Sequence, residues 1–138
     1  MLLRRLTNEL AVAGQITPGD MPGLAAQGIC GIICNRPDDE EAPNHPTYAE
    51  IEKAAAANGI KTAYQPVVAT AISDEDGATF GRLLDELPSP VLVYCRSGMR
   101  STALWALSQA GKIPAKDIVE AAAMAGYDLR PFLPRLAR

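Results

Sequence analysis

From Pro90 to Gln109 the chain reads PVLVYCRSGMRSTALWALSQ: an apolar run, a cysteine, two arginines around a glycine and a serine, then an apolar-rich stretch. The spacing predicts a strand over Pro90 to Tyr94, a CRSGMRS loop, and a helix from about Thr102 to Ala110. A buried strand delivers Cys95 to the carboxyl edge of a sheet, where open α/β sheets bind ligands. The free N–H groups and positive dipole end of the following helix then face the sulfur, and such a setting favours the thiolate form of a cysteine. Gly98 permits a tight wrap with N–H groups turned inward, an anion-binding nest built from Ser97, Gly98 and Met99. Arg100 is placed to clamp an oxyanion with its guanidinium fork, and Arg96 adds a second cation. Ser101 is expected to cap the helix and hydrogen-bond the thiolate. A lone cysteine at a strand end would be packing. Cysteine, glycine, arginine and serine in this order are the parts of a covalent-catalysis site, with Cys95, Arg100 and Ser101 catalytic and Arg96, Ser97, Gly98 and Met99 binding substrate.

Working outward, Ile29 to Cys34 (ICGIIC) is a second continuous apolar run, the pattern of a strand buried on both faces of a parallel sheet. Leu6 to Ala13 reads as a short strand or hairpin arm, and PGDMPGLAAQG as a short helix ended by Gly28. An Ala-rich helix from Tyr48 to Asn58 stops at Gly59, and Lys61 to Val68 forms the next strand. Ser73 caps a helix whose first turn is acidic. A last helix over Ala115 to Ala125 precedes a basic, partly apolar tail, LRPFLPRLAR, expected to be packed or frayed. Strands alternating with helices at these lengths indicate a single domain, a three-layer α/β/α sandwich around a mainly parallel sheet.

The composition narrows the function classes. The 138 residues are 48 % hydrophobic and 21 % charged, with a formal net charge of −3 and few aromatics. That balance carries neither the basic footprint nor the stacking surface of a nucleic-acid binder. No apolar run reaches the length of a membrane span, and the start of the chain reads as mature protein, not as a signal peptide. Three cysteines with a single histidine make a poor metal set, so no metal or organic cofactor is expected. Free thiols point to a reduced, cytoplasmic setting.

Other residues compete for a role. Arg36, in the CNRPDDEE segment that leaves the strand beside Cys95, is either a third substrate-binding cation or an ion-pair partner of the acidic residues Asp38 to Glu41. Cys34 is a candidate resolving thiol for an oxidised or persulfidated Cys95, with buried packing as the plainer role. Cys30 is expected mid-strand in the core, His45 exposed on a proline-rich loop, and Trp105 packed between helix and sheet.

The CRSGMRS loop resembles the active loop of rhodanese-type sulfurtransferases and also a shortened loop of protein tyrosine phosphatases. Over Leu6 to Leu107 the chain is similar to the phosphatase-like domain of the beta-lactamase hydrolase-like proteins, a family also associated with sulfur transfer. The matching pieces are GQITPGD, ICNRPDDEE, the strand ending QPV, and VYCRSGMRS followed by Leu104 and Trp105. The resemblance implies the dual-specificity, tyrosine-phosphatase-like fold, and a sulfur dioxygenase as a partner.

Two chemistries follow from that resemblance. Phosphate ester hydrolysis wants a proton donor for the leaving group. Ala69 occupies the place where these phosphatases carry an aspartate, Tyr94 replaces their histidine, and the loop is one residue short. Asp74, Glu75 and Asp76 read as helix N-terminal charge. The expectation is therefore a sulfurtransferase: Cys95 takes sulfane sulfur from a small anionic donor and passes it to a thiol acceptor. A cysteine-dependent phosphatase is the alternative, and a non-catalytic anion- or partner-binding module the third.

Overall fold

The computed structural model describes residues 3–137. Five short strands, β1 (Arg4–Thr7), β2 (Leu10–Ala13), β3 (Gly31–Cys34), β4 (Lys61–Tyr64) and β5 (Val91–Tyr94), form a sheet in the order β1-β2-β5-β3-β4. β1 and β2 are an antiparallel hairpin turning at Asn8 and Glu9; every other pairing is parallel. Strands β2, β3 and β5 are buried at every position, as their unbroken apolar runs require. β1 and β4 are the edge strands; β4 is exposed at its two ends and half-buried at Thr62 and Ala63 between them.

The strand period of two divides the core. Val12, Ile33, Val91 and Val93 face α3 (Asp74–Glu86), α4 (Met99–Gln109), α5 (Ala115–Met124) and α6 (Leu133–Leu136). Ala11, Ile32, Leu92 and Tyr94 face α1 (Met21–Ala26) and α2 (Tyr48–Ala57). The result is the three-layer α/β/α sandwich read from the pattern. Ser73 and Asp76 close a reciprocal capping box at the start of α3, 2.9 and 3.0 Å. Where α3 crosses α4, Gly77 permits the approach: a Cβ there would stand 2.6 Å from that of Leu107.

Several boundaries differ from expectation. β4 ends at Tyr64, not Val68, because Pro66 cannot donate to a ladder; only Gln65 and Val67 continue bonding, to the carbonyls of Cys34 and Asn35. α4 begins at Met99, not Thr102, so the loop after Cys95 is tighter than predicted. Cys30 precedes β3 and is half-buried, its thiol donating to the Gly28 carbonyl at 3.3 Å. The basic tail is helical and docked: Leu129 and Leu136 are buried, and Arg135 donates to Asp74 at 2.9 Å. The first two residues of the amino-terminal stretch and Arg138 of the tail lie outside the described residues.

Candidate active site

Cys34 of β3 stands in register with Tyr94 of β5, so Cys95 leaves the sheet's carboxyl edge between β2 and β3. Cys95 is buried, and its sulfur accepts the Gly98 N–H at 3.1 Å. Gly98 has φ +95°, which turns its N–H inward and lets it cap α4 without a side chain. Any Cβ at Gly98 would collide with the Tyr127 hydroxyl, which itself donates to the Ser97 carbonyl at 3.1 Å. The loop is thus pinned from both sides: by Tyr127, and by the Gln15 N–H on the Arg96 carbonyl at 3.1 Å.

Arg100, in the first turn of α4, is 8 % exposed and spends most of its five donors on protein. Its Nη1 donates to the carbonyls of Val67 (2.9 Å) and Asn35 (3.4 Å). Its Nη2 meets the Glu40 carboxylate at 3.0 and 3.2 Å. Its Nε is buried and has no partner. A cavity of about 240 Å³ lies against this arginine, lined by Cys95, Ser97, Met99 and Arg100 with Ala69, Ile72, Ala103 and Phe132.

The loop residues therefore divide. Cys95, Ser97, Met99 and Arg100 meet at one cavity as expected. Ser101 does not cap the helix or bond the thiol: three residues into α4's chain after Gly98, it is fully buried and donates to Asn35 Oδ1 at 2.8 Å. Arg96 points outward, its side chain 64 % exposed and paired with Glu41 at 2.7 Å. Arg36 is not a third cation of the cavity. Its Nε bonds Glu40 at 2.9 Å, its Nη1 Gln15 at 3.0 Å and its Nη2 Glu41 at 3.5 Å, the ion-pair role of the two alternatives.

Charge in this region is closely balanced. Burial pushes the Glu40 carboxyl up, but hydrogen bonds and charge from Arg100 and Arg36 outweigh it and hold the group below the usual carboxylate range. Burial drives the Cys34 thiol up to about 11, beside the Tyr94 hydroxyl, which burial also raises. Cys34 packs on the α1/α2 side of the sheet, the setting of a core thiol. His45 is half-buried, not exposed, with Nε2 2.6 Å from the Glu40 carbonyl oxygen, so it braces the acidic loop. Ala69 does stand at the cavity, and Asp74 and Asp76 are committed to Arg135 and the capping box.

Asn35, Tyr127 and Phe132 belong to the site and escaped the sequence reading, which placed Glu40 only as a partner of Arg36 and not of Arg100. Asn35 had a visible signal, a polar residue directly after a buried strand; it donates to Gln65 O at 3.0 Å and holds Ser101 and Arg100. Tyr127 and Phe132 had none, because only the docking of the tail brings them to the loop.

The family model described as the phosphatase-like domain of beta-lactamase hydrolase-like protein matches residues 2–112. A beta-lactamase hydrolase-like protein of Agrobacterium fabrum is 35 % identical over 127 residues, 91 % of this chain and 29 % of that protein. The chain thus spans under a third of the length of the curated relatives it matches. A crystal structure of a candidate phosphatase from Neisseria meningitidis superposes with a TM-score of 0.88 at 37 % identity, covering 99 % of this chain and 97 % of that one. Tk-PTP, at 17 % identity and a TM-score of 0.71 over 97 % of this chain and 92 % of its own, shares the fold, which is that of the tyrosine phosphatases.

Proposed function

The chain belongs to the phosphatase-like domain family of the beta-lactamase hydrolase-like proteins, and we propose that it is a cysteine-dependent phosphomonoesterase. The observation that carries this reading is the unpartnered, buried Nε of Arg100 beside the Cys95 cavity. An orphan donor there is suited to an acceptor from outside the chain, and the Nε edge of a guanidinium is the part that takes oxygens of a tetrahedral oxyanion. The candidate phosphatase from Neisseria, alike over nearly the whole chain, supports the same reaction class.

In the reaction, the Cys95 thiolate attacks phosphorus; an S–P bond forms as the ester P–O bond breaks and the leaving oxygen departs with the electron pair. Water then attacks phosphorus, the S–P bond breaks, and inorganic phosphate leaves with the thiolate restored. The Gly98 N–H stabilises the charge on the Cys95 sulfur, and the open edge of Arg100 holds the charge that builds on the phosphoryl oxygens. Among the described residues no carboxylate lines the cavity, so the leaving oxygen takes its proton from water, and esters of acidic alcohols or phenols react fastest. The apolar walls from Ala69, Ile72, Met99, Ala103 and Phe132 suit an aryl leaving group.

A second reading is sulfur transfer, favoured by that same lack of a cavity acid and by the cavity's small size. Here Cys95 attacks the outer sulfur of thiosulfate, an S–S bond forms, sulfite leaves with the electron pair, and a thiol acceptor later removes the sulfur. One experiment separates the two. The protein is incubated with p-nitrophenyl phosphate and, in parallel, with thiosulfate, alongside Cys95→Ser. Phosphate release lost in the variant supports the phosphatase. A mass gain of one sulfur on Cys95 without phosphate release replaces it with sulfur transfer. Neither product, with tight oxyanion binding, leaves a binding module.

A further inference from the structure

We propose that Arg36 is the positioning residue of this site, acting through Glu40 and Glu41 to hold Arg100 in the orientation that keeps its Nε edge open. The inference rests on the oxyanion-handling reading of the cavity, phosphate or thiosulfate alike. Each nitrogen of the Arg36 guanidinium has a different partner: Nε on Glu40, Nη1 on Gln15, Nη2 on Glu41. Those partners lead to two residues of the loop, Arg96 and Arg100. Gln15 donates its backbone N–H to the Arg96 carbonyl. Glu41 reaches the Arg96 side chain, and Glu40 the Arg100 Nη2.

The donor count on Arg100 explains why this matters. Nη1 serves two backbone carbonyls and Nη2 meets both Glu40 oxygens, which leaves the Nε edge for a ligand. Glu40 keeps that arrangement only while Arg36 competes for it; the carboxylate is shared between the two guanidiniums at 2.9 and 3.0 Å. Without Arg36, Glu40 has a single strong partner and no restraint from taking the open edge itself. The cluster also sets the charge. Three arginines and two glutamates, all within this one network, leave one net positive charge facing a small anion. Arg36 is buried to 5 % exposure, so it works from beneath the loop and does not touch the ligand.

The test is orthovanadate and thiosulfate binding by calorimetry, with p-nitrophenyl phosphate turnover measured on the same samples. Arg36→Lys retains charge but cannot serve three partners. We expect its oxyanion affinity to fall about 10- to 100-fold, the cost of a displaced positioning group, with near-ultraviolet circular dichroism unchanged. Glu40→Gln, which keeps the shape of the side chain, weakens the ion pairs and should fall in the same direction should Arg36→Lys fail to fold. The double variant should be no worse than Arg36→Lys alone, because both act through one contact. Wild-type affinity in folded Arg36→Lys overturns the proposal, and so do additive losses in the double variant. A wild-type chain that binds neither anion overturns it as well. A chain that binds vanadate with Arg36-dependent affinity but hydrolyses no ester sinks the phosphatase reading and leaves the positioning role standing.

Discussion

The Ser101 hydroxyl donates to Asn35 Oδ1 at 2.8 Å with both side chains fully buried, and so the serine that follows Arg100 braces the sheet edge instead of the thiol. Asn35 also accepts from Arg100 through its carbonyl at 3.4 Å and donates to Gln65 at 3.0 Å. One residue at the end of β3 thus ties α4 to the strand next to Cys95.

Ser101→Ala removes the donor on Asn35 Oδ1 and leaves that buried acceptor unpaired among the described residues. Chemical denaturation should show a loss of about 1–3 kcal/mol. Because the hydroxyl does not touch the sulfur, the rate of Cys95 alkylation at neutral pH should stay close to wild type. A large change in that rate with stability intact would return Ser101 to the role of thiolate partner.

Gly98→Ala meets two obstacles at once, a φ of +95° and the Tyr127 hydroxyl. The backbone term alone is about 1–2 kcal/mol. Turnover and vanadate affinity should both fall, since the Gly98 N–H is the one on the sulfur. Adding Tyr127→Phe should relieve only part of the loss, because the backbone conformation still disfavours a Cβ; full recovery would show that the contact with Tyr127, not the turn, requires glycine.

With its thiol raised from 9.0 to about 11 by burial, Cys34 stays protonated in the folded chain. Iodoacetamide at pH 8 followed by peptide mass mapping should modify Cys30 and leave Cys34 untouched until denaturant is added. The folded state binds the Cys34 proton more tightly than the unfolded state does. Its contribution to stability is therefore complete below pH 9 and is lost as pH rises towards 11. Cys34→Ser should flatten that alkaline decline.

Glu40 has the opposite sign. Arg100 and Arg36 hold its carboxyl below the usual range against the upward push of burial. Its ion pairs are complete above the ordinary glutamate pKa of about 4.3 and are lost as pH falls through the depressed value. Glu40→Gln should therefore narrow the difference in melting temperature between pH 6 and pH 3. An unchanged difference would mean that other carboxylates dominate acid unfolding.

A leaving-group series measures what Ala69 implies. With no acid lining the cavity among the described residues, turnover of aryl phosphates should drop steeply as the phenol becomes less acidic. A flat series would reveal a proton donor that reaches the cavity from elsewhere.

The sequence by itself determined the layers, the parallel order of the buried runs and the place of Cys95, because these depend on local period and burial. Unbroken apolar runs at β3 and β5 and an N-cap serine at Ser73 speak through their nearest neighbours alone. Tertiary structure decided where the polar side chains go. Arg36 pairs with Glu40 and Glu41 of its own segment, as one of its two readings had it, but Ser101 found Asn35, Arg36 found Gln15 and Arg100 found Glu40 only when separate segments met at the sheet edge. A buried charge or hydroxyl takes whichever partner the fold brings within hydrogen-bond reach, and no spacing along the chain encodes that distance.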